Sequence, residues 1–277
     1  MNTQFLALSE GKIAYDDTGS GPLVVCVPGM GDVRNQFRFL APLLVEEGFR
    51  VVTVDNRGHG DSSVGWKDHS MTAIASDVLA LIRHLDSGPA VVLGHSIAAA
   101  GAILAAAENP DLVRALVLVG PGGVRGELGG FMNRLIKVLF ARPWGPAAWR
   151  WYYGTLYPTR KPADWEPYTD HLQRSLAQPG RLEALAALMD SLNRRPPLPL
   201  DAVRVPALVV MGSKDADAKP VPAEEARWLA KQLGGSATII EGAGHYPHVE
   251  MPELTNPQIN AFLKTLQPEV TYAAAAR

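Results

Sequence analysis

Ser96 stands between an apolar run and a stretch of small residues in AVVLGHSIAAAG, residues 90–101. A serine at such a junction has two uses. It can cap the following helix by accepting a hydrogen bond from its first turn. Held on a sharp strand-to-helix turn, as in strings of the type G-x-S-x-G, it can instead be a nucleophile; here the string is Gly94-His95-Ser96-Ile97-Ala98. A hydroxyl attacks poorly until a base takes its proton, and histidine is tuned for that near neutral pH. Of the seven histidines, at 59, 69, 84, 95, 171, 245 and 248, His245 follows the last strand-like run in the loop EGAGHYPHVE, with His248 as its rival. The others read as surface or turn residues, and His95 shares the serine's own turn, from which it cannot easily reach back. An imidazole base needs a carboxylate to fix its tautomer and stabilise the imidazolium. Asp215 lies three residues past Gly212 in VVMGSKDADAKP, and Asp217 is the alternative. The loop VLVGPGG after the preceding core strand has no acid.

Acyl chemistry on a serine also needs donors for the developing oxyanion. The Ile97 N–H lies at a helix start, where unsatisfied amides and the positive end of the dipole meet an anion. A second donor is expected from VCVPGMGD (residues 25–32), where two glycines let the backbone approach a substrate; the Met30 N–H is the candidate. Each string alone has an ordinary reading as a cap, a turn or a solvated acid. In the order Ser96, Asp215, His245, each just past a strand, they reinforce one another. The scheme calls for no cofactor and no metal.

The elements that must position these groups can be read from periodicity. FLALSEGKIAYDD looks like a hairpin turning at Gly11. Apolar, β-branched runs at 23–27, 50–55, 90–94, 115–120, 206–212 and 237–242 alternate with helix-like segments at 36–47, 72–85, 97–108, 223–233 and 253–266. That alternation predicts an α/β fold, a mostly parallel sheet with helices on both faces. Ligands meet such sheets at the carboxyl edge of the strands. Between Pro121 and Leu200 the strand pattern stops, and residues 131–168 hold 10 of the chain's 20 aromatic rings. The expected organisation is a core domain of residues 1–121 and 201–277, with residues 122–200 inserted as a mostly helical cap and RRPPLPL (194–200) as its exit linker. Most of those rings would pack the cap to the sheet, and some would line an apolar acyl or alcohol pocket. The insertion has 11 Lys/Arg against 6 Asp/Glu, a charged surface face or an attraction for anionic substrates.

Bulk properties narrow the class. A chain of 277 residues with 47% apolar and 19% charged residues can bury one large core. A net charge of −2 speaks against nucleic-acid binding. No apolar run reaches the ~18 residues of a membrane span, and no basic start with an apolar core suggests a secretory leader. The single cysteine, Cys26, excludes an intrachain disulfide and fits a reducing compartment, so a cytoplasmic location is expected.

Together GHSIA, VPGMGD, VVTVDNRGHGDSS (51–63), VVMGSKDADAKP and GAGHYPHVE resemble the α/β-hydrolase superfamily, most closely its small, capped, esterase- and haloperoxidase-like members. The resemblance implies a triad at Ser96, Asp215 and His245 and an oxyanion hole at Met30 and Ile97. It makes Asp55, Arg57 and Asp61 structural ties among the upper loops. Two departures stand out: Pro28 precedes Gly29 where many members have His, and Ala98 replaces the usual final glycine. The first alters support for the oxyanion loop, and the second changes how the helix leans on the sheet. The expected activity is carboxylic-ester hydrolysis through an acyl-enzyme, on a small-molecule substrate with apolar groups, by a monomer or homodimer. The same groups could serve another acyl or C–C hydrolysis, a lactonase or perhydrolase reaction, or a ligand receptor of low turnover.

Overall fold

A computed structural model describes residues 3–122, 124, 143–192, 197–218 and 221–266. Within the insertion, residues 125–142 with Phe131 and Phe140, and Arg194–Pro196 of the linker, lie outside the described residues.

The sheet has eight strands, β1 (Gln4–Ala7), β2 (Lys12–Thr18), β3 (Leu23–Val27), β4 (Arg50–Val54), β5 (Ala90–His95), β6 (Val113–Val119), β7 (Ala207–Gly212) and β8 (Ser236–Ile240). Their order is β1-β2-β4-β3-β5-β6-β7-β8. The β1–β2 and β2–β4 pairs are antiparallel and the rest parallel. Strands β3, β5 and β7 are buried at every position, which is why they read as unbroken apolar runs and not as alternating ones. Helices α2 (Met71–Leu85) and α3 (Ile97–Glu108) cover one face through Ile74, Val78 and Ile103. On the other face Phe37, Leu40 and Leu44 from the segment after β3 pack with Ile259 and Leu263 of the C-terminal helix.

One segment departs from expectation. Residues 36–47 do not form a single helix: a 3₁₀ turn at Arg34–Phe37 is followed by the short α1 (Ala41–Glu46). Pro42 near the start of α1 has no N–H to carry the helical ladder across from the preceding turn.

Because six strands run parallel, their carboxyl ends share one edge, and the loops after β3, β5, β6, β7 and β8 meet there. Arg34 ties that edge together, with Asp16 at 3.0 Å, Asp61 at 2.7 Å and the buried Asp55 as a third partner. Arg57 grips both oxygens of Asp77 at 2.7 Å. The described part of the insertion contributes α4 (Gly145–Thr155), α5 (Trp165–Ala177) and α6 (Arg181–Ser191). They pack on the same edge: Tyr153, Tyr157 and Tyr168 cluster with Val33 and Tyr246, and Trp149 clusters with Leu176, Leu182 and Met30. The chain closes with α7 (Pro222–Gln232), α8 (Pro247–Glu250) and α9 (Pro252–Thr265).

Candidate active site

Ser96 follows the last residue of β5 and precedes the first of α3, at φ 53° and ψ −123°. A non-glycine residue with positive φ costs on the order of 1–3 kcal/mol and persists where its surroundings over-determine it. Those surroundings are evident. The Ser96 N–H donates to Val119 O at 3.0 Å, and its carbonyl accepts from Ala99 N at 3.0 Å and Gly122 N at 3.1 Å. The turn closes tightly enough that a Cβ at Gly94 would lie 2.5 Å from the Ala98 carbonyl oxygen. Ala98 itself is accommodated, fully buried in the core. The hydroxyl makes no capping hydrogen bond with α3. It lies 2.9 Å from His245 Nε2.

His245 sits on the loop after β8, buried, with Nδ1 at 2.9 and 3.0 Å from the two oxygens of Asp215 on the turn after β7. With Nδ1–H donating to the carboxylate, the Nε2 lone pair faces the serine hydroxyl. The backbone of His245 is fixed from two sides: its N–H donates to Leu156 O at 3.0 Å, and its carbonyl accepts from His95 Nε2 at 3.0 Å. Burial alone would lower the imidazole pKa. The Asp215 charge, its hydrogen bond and the nearby Asp217 outweigh that and push it up to about 9. Burial acts to raise Asp215, but the His245 charge and hydrogen bonds from His245, Asp217 and Ala218 hold its carboxyl below the usual range.

The two rivals lie elsewhere. Asp217 is on the opposite side of the ring from Asp215, with Oδ2 3.8 Å from Nε2, and accepts from the Tyr152 hydroxyl of α4. His248 is buried, its Nε2 3.0 Å from Gln36 Nε2, and burial pushes it down to about 3.

Met30 lies on the loop after β3, and Ile97 is the first residue of α3. Residues 29–32 form a turn closed by Asp32 N–H on Gly29 O at 3.4 Å, with Gly31 at φ 70° in the position where a type II turn requires positive φ. A Cβ at Gly29 would sit 3.2 Å from Ser96 Cβ, and one at Gly122 would sit 3.1 Å from Ser96 Oγ and 3.6 Å from Ile97 N, so three loops crowd the hydroxyl. Among the described residues neither the Met30 nor the Ile97 N–H donates to a protein acceptor.

Support for this turn comes from residues the sequence did not single out. Gly29 N–H donates to Gln36 Oε1 at 3.0 Å, Asn56 Nδ2 to Pro28 O at 2.8 Å, and Gly31 N–H to His59 Nε2 at 3.2 Å. Thus Pro28, which offers no side-chain hydrogen bond, is compensated by Gln36 and Asn56. His59 and His95 are buried and not surface residues; burial holds His59 neutral, down to about 4, so its Nε2 can accept. Asp32, in the quoted string VPGMGD, is buried with Oδ1 2.5 Å from the Tyr168 hydroxyl and Oδ2 3.0 Å from that of Tyr153. A buried acid next to a Gly-rich loop, with tyrosines spaced along a later helical segment, was the available signal. Among the described residues no group of three or more His, Cys, Asp or Glu side chains is arranged to hold a metal.

Similarity to known proteins extends over most of the chain. The profile of the alpha/beta hydrolase family matches residues 24–258. The chain is 30% identical over 251 residues to the dihydrolipoyllysine-residue acetyltransferase component of an acetoin cleaving system from Pseudomonas putida, covering 89% of this chain and 64% of that one. It therefore spans just under two thirds of that relative. Among solved structures, an esterase from Exiguobacterium antarcticum superposes with a TM-score of 0.83 at 23% identity, over 95% of this chain and 100% of the esterase. A thermophilic esterase from Thermogutta terrifontis gives 0.81 at 24% identity, over 97% and 100%. At those identities the two structures speak for the fold alone. Among the described residues no helix is long and apolar enough to cross a membrane. With its eight-stranded, mostly parallel sheet and a profile match across most of its length, the chain belongs to the alpha/beta hydrolase family.

Proposed function

We propose that the protein hydrolyses carboxylic esters through an acyl-enzyme on Ser96. The observation that carries this reading is the hydrogen-bonded line from Ser96 Oγ through His245 to Asp215, with the serine held at positive φ and its hydroxyl spent on no cap. Ser96 Oγ attacks the ester carbonyl while Nε2 of His245 takes its proton. The oxyanion of the tetrahedral intermediate lies between the Met30 and Ile97 N–H groups, each worth about 3–4 kcal/mol to such a transition state. As the intermediate collapses, His245 gives the proton to the leaving alcohol, and Asp215 stabilises the imidazolium throughout. Water, deprotonated by the same nitrogen, then releases the acid and restores Ser96. The described helices α4–α6 of the insertion act as a cap over this edge, and the partly exposed Met30 and Tyr152 side chains give the substrate's apolar part a wall to pack on.

The test is turnover of nitrophenyl esters of increasing acyl length by the wild type and by Ser96→Ala. A loss of about 10⁶ in kcat is expected, since triad members act as a unit. A fluorophosphonate should add once, on Ser96. Near-native turnover by Ser96→Ala would refute the reading. Tight binding of an ester without its hydrolysis would move the protein to a receptor role.

A further inference from the structure

Asp217 is the charged side chain beside the reacting atoms that the proposed reaction does not use. Its Oδ2 lies 3.8 Å from His245 Nε2, the nitrogen that faces Ser96 Oγ at 2.9 Å, whereas Asp215 occupies Nδ1. The Tyr152 hydroxyl reaches both of its oxygens, at 3.0 and 2.8 Å, and the Tyr152 ring packs 5.5 Å from that of Trp149. The Asp217 N–H is itself bound, to Asp215 Oδ1 at 2.9 Å. Backbone and side chain are thus both fixed, yet the carboxylate stays 37% exposed, against 1% for Asp215.

We propose that Asp217 selects the substrate's alcohol by charge, favouring esters whose alcohol carries an ammonium group a few bonds from the ester oxygen and disfavouring those with a carboxylate there. The inference rests on the hydrolase reading above. Its geometry follows from the second half of acylation. The leaving oxygen must come within ~3 Å of Nε2 to receive its proton. Substituents on the next carbons then fall beside Oδ2, which flanks the same nitrogen. An ammonium there meets an opposite charge in a partly water-excluded site, and a carboxylate meets a like charge.

Three of the insertion's described arginines are engaged elsewhere: Arg150 with Glu166 and Asp170, Arg160 with Glu253, and Arg181 with the Ser62 carbonyl. Among the described residues, the ion-pair partner within 4 Å of Asp217 is His245. Among the described residues, two carboxylates, Asp215 and Asp217, flank the one imidazole of His245.

The experiment compares kcat/KM for three esters of one acyl group: a choline ester, its 3,3-dimethylbutyl isostere and a carboxyalkyl ester of similar length. They are run on the wild type, Asp217→Asn, Asp217→Ser and Tyr152→Phe at fixed low salt. The wild type should favour the cationic over the neutral ester, and the neutral over the anionic, by about tenfold each, a preference that salt compresses. Both neutral replacements should bring the ratios to within about twofold of unity, whereas Tyr152→Phe, which keeps the charge, should retain the cationic preference. Hydrolysis of the neutral ester with charge ratios that Asp217→Asn leaves unchanged overturns the proposal while the hydrolase reading stands. Binding separates the two failures further. Should no ester be turned over, calorimetry of the choline ether and its neutral isostere on the wild type and Asp217→Asn still decides. A cationic preference lost in the variant upholds charge selection, and equal affinities reject it.

Discussion

Asp32 gives the sharpest quantitative test of how the insertion is joined to the sheet. Its buried carboxylate accepts from the Tyr168 hydroxyl at 2.5 Å, the Tyr153 hydroxyl at 3.0 Å and the Val33 N–H at 2.8 Å. In Asp32→Ala, Tyr153 keeps a partner, the Tyr157 hydroxyl at 2.9 Å, but among the described residues Tyr168 keeps none. Two charge-assisted bonds at ~1.5–2 kcal/mol each give about 3–4 kcal/mol, including the cost of leaving one buried hydroxyl unmet. Burial opposes the ionised carboxylate and raises its pKa, so part of that gain is already spent in the native state. The net expectation is a loss of about 2–3 kcal/mol for Asp32→Ala, and about 1–2 kcal/mol for Asp32→Asn, which keeps one carbonyl for one hydroxyl. Because the native pKa is raised, the stabilising contribution is full below the unfolded value and is lost as pH rises through the native one. The Asn penalty should therefore shrink with rising pH. Urea unfolding of wild type, Asp32→Ala, Asp32→Asn, Tyr168→Phe and the Asp32→Asn/Tyr168→Phe pair supplies the numbers, and a coupling above ~0.5 kcal/mol is expected between the two sites. An Asp32→Ala protein within ~0.5 kcal/mol of the wild type would show that the carboxylate does not hold these tyrosines, and the reasoning would fail.

Three further outcomes follow from the same geometry. His245, pushed up to about 9 under the charges of Asp215 and Asp217 with the neutral rings of His95, Tyr246 and His248 around it, must lose its proton to act as base. The acid limb of kcat/KM should thus lie well above the ordinary imidazole value and move down in Asp217→Asn; a limb near pH 6.5 that ignores the substitution would contradict this. The stability conferred by the charged His245–Asp215 pair runs the other way, full between the unfolded carboxylate and histidine values, lost as pH rises through about 9 and lost again in acid as Asp215 protonates, which unfolding midpoints would show. Gly31→Ala and Gly48→Ala form a matched pair, since both glycines have positive φ, 70° and 86°, but an added Cβ meets the Trp149 ring at 2.2 Å in the first and nothing within 4 Å in the second. Gly48→Ala should cost about 1 kcal/mol and leave ester turnover alone, while Gly31→Ala should cost more, perturb tryptophan fluorescence and lower kcat/KM at least tenfold; equal effects would sink the contact.

The residues proposed to react are legible in the sequence because each is announced by local signals. Ser96 breaks an apolar run at a glycine, and Asp215 and His245 each follow a strand whose β-branched residues are visible without any tertiary knowledge. The parallel sheet was legible for the same reason, since β3, β5 and β7 are buried on both faces and have no polar alternation to confuse them. The segment between β3 and β4 was harder. Its apolar spacing suits one helix over 36–47, and the single missing N–H of Pro42 decides otherwise. The support shell was not legible. Gln36, His59 and His95 bond to backbone atoms up to 150 residues away, as His95 does to the His245 carbonyl, and no spacing rule connects such pairs. Asp217 shows the limit most clearly: two residues from Asp215, it carries the same chemistry in the sequence, and only the ring's orientation sends one acid to Nδ1 and the other to Nε2.

That division has a consequence for how the site is assembled. The sheet loops supply Ser96, Asp215, His245 and the two amides of the proposed reaction, and the loops after β3, β7 and β8 are also touched by the insertion. Leu156 O takes the His245 N–H, the Trp149 ring lies over Gly31, Tyr152 holds Asp217, and Tyr153 and Tyr168 hold Asp32. Four of these five residues lie within about two turns of chain, positions 149–156, at the end of α4 and its C-cap. A shift of that helix would therefore displace the proposed base, the oxyanion turn and the flanking carboxylate together. Substrate that packs on α4 thus acts on the reacting geometry directly, and substitutions on the solvent side of α4, such as at the exposed Trp151, should leave that geometry alone while those at Trp149, Tyr152 or Tyr153 change it.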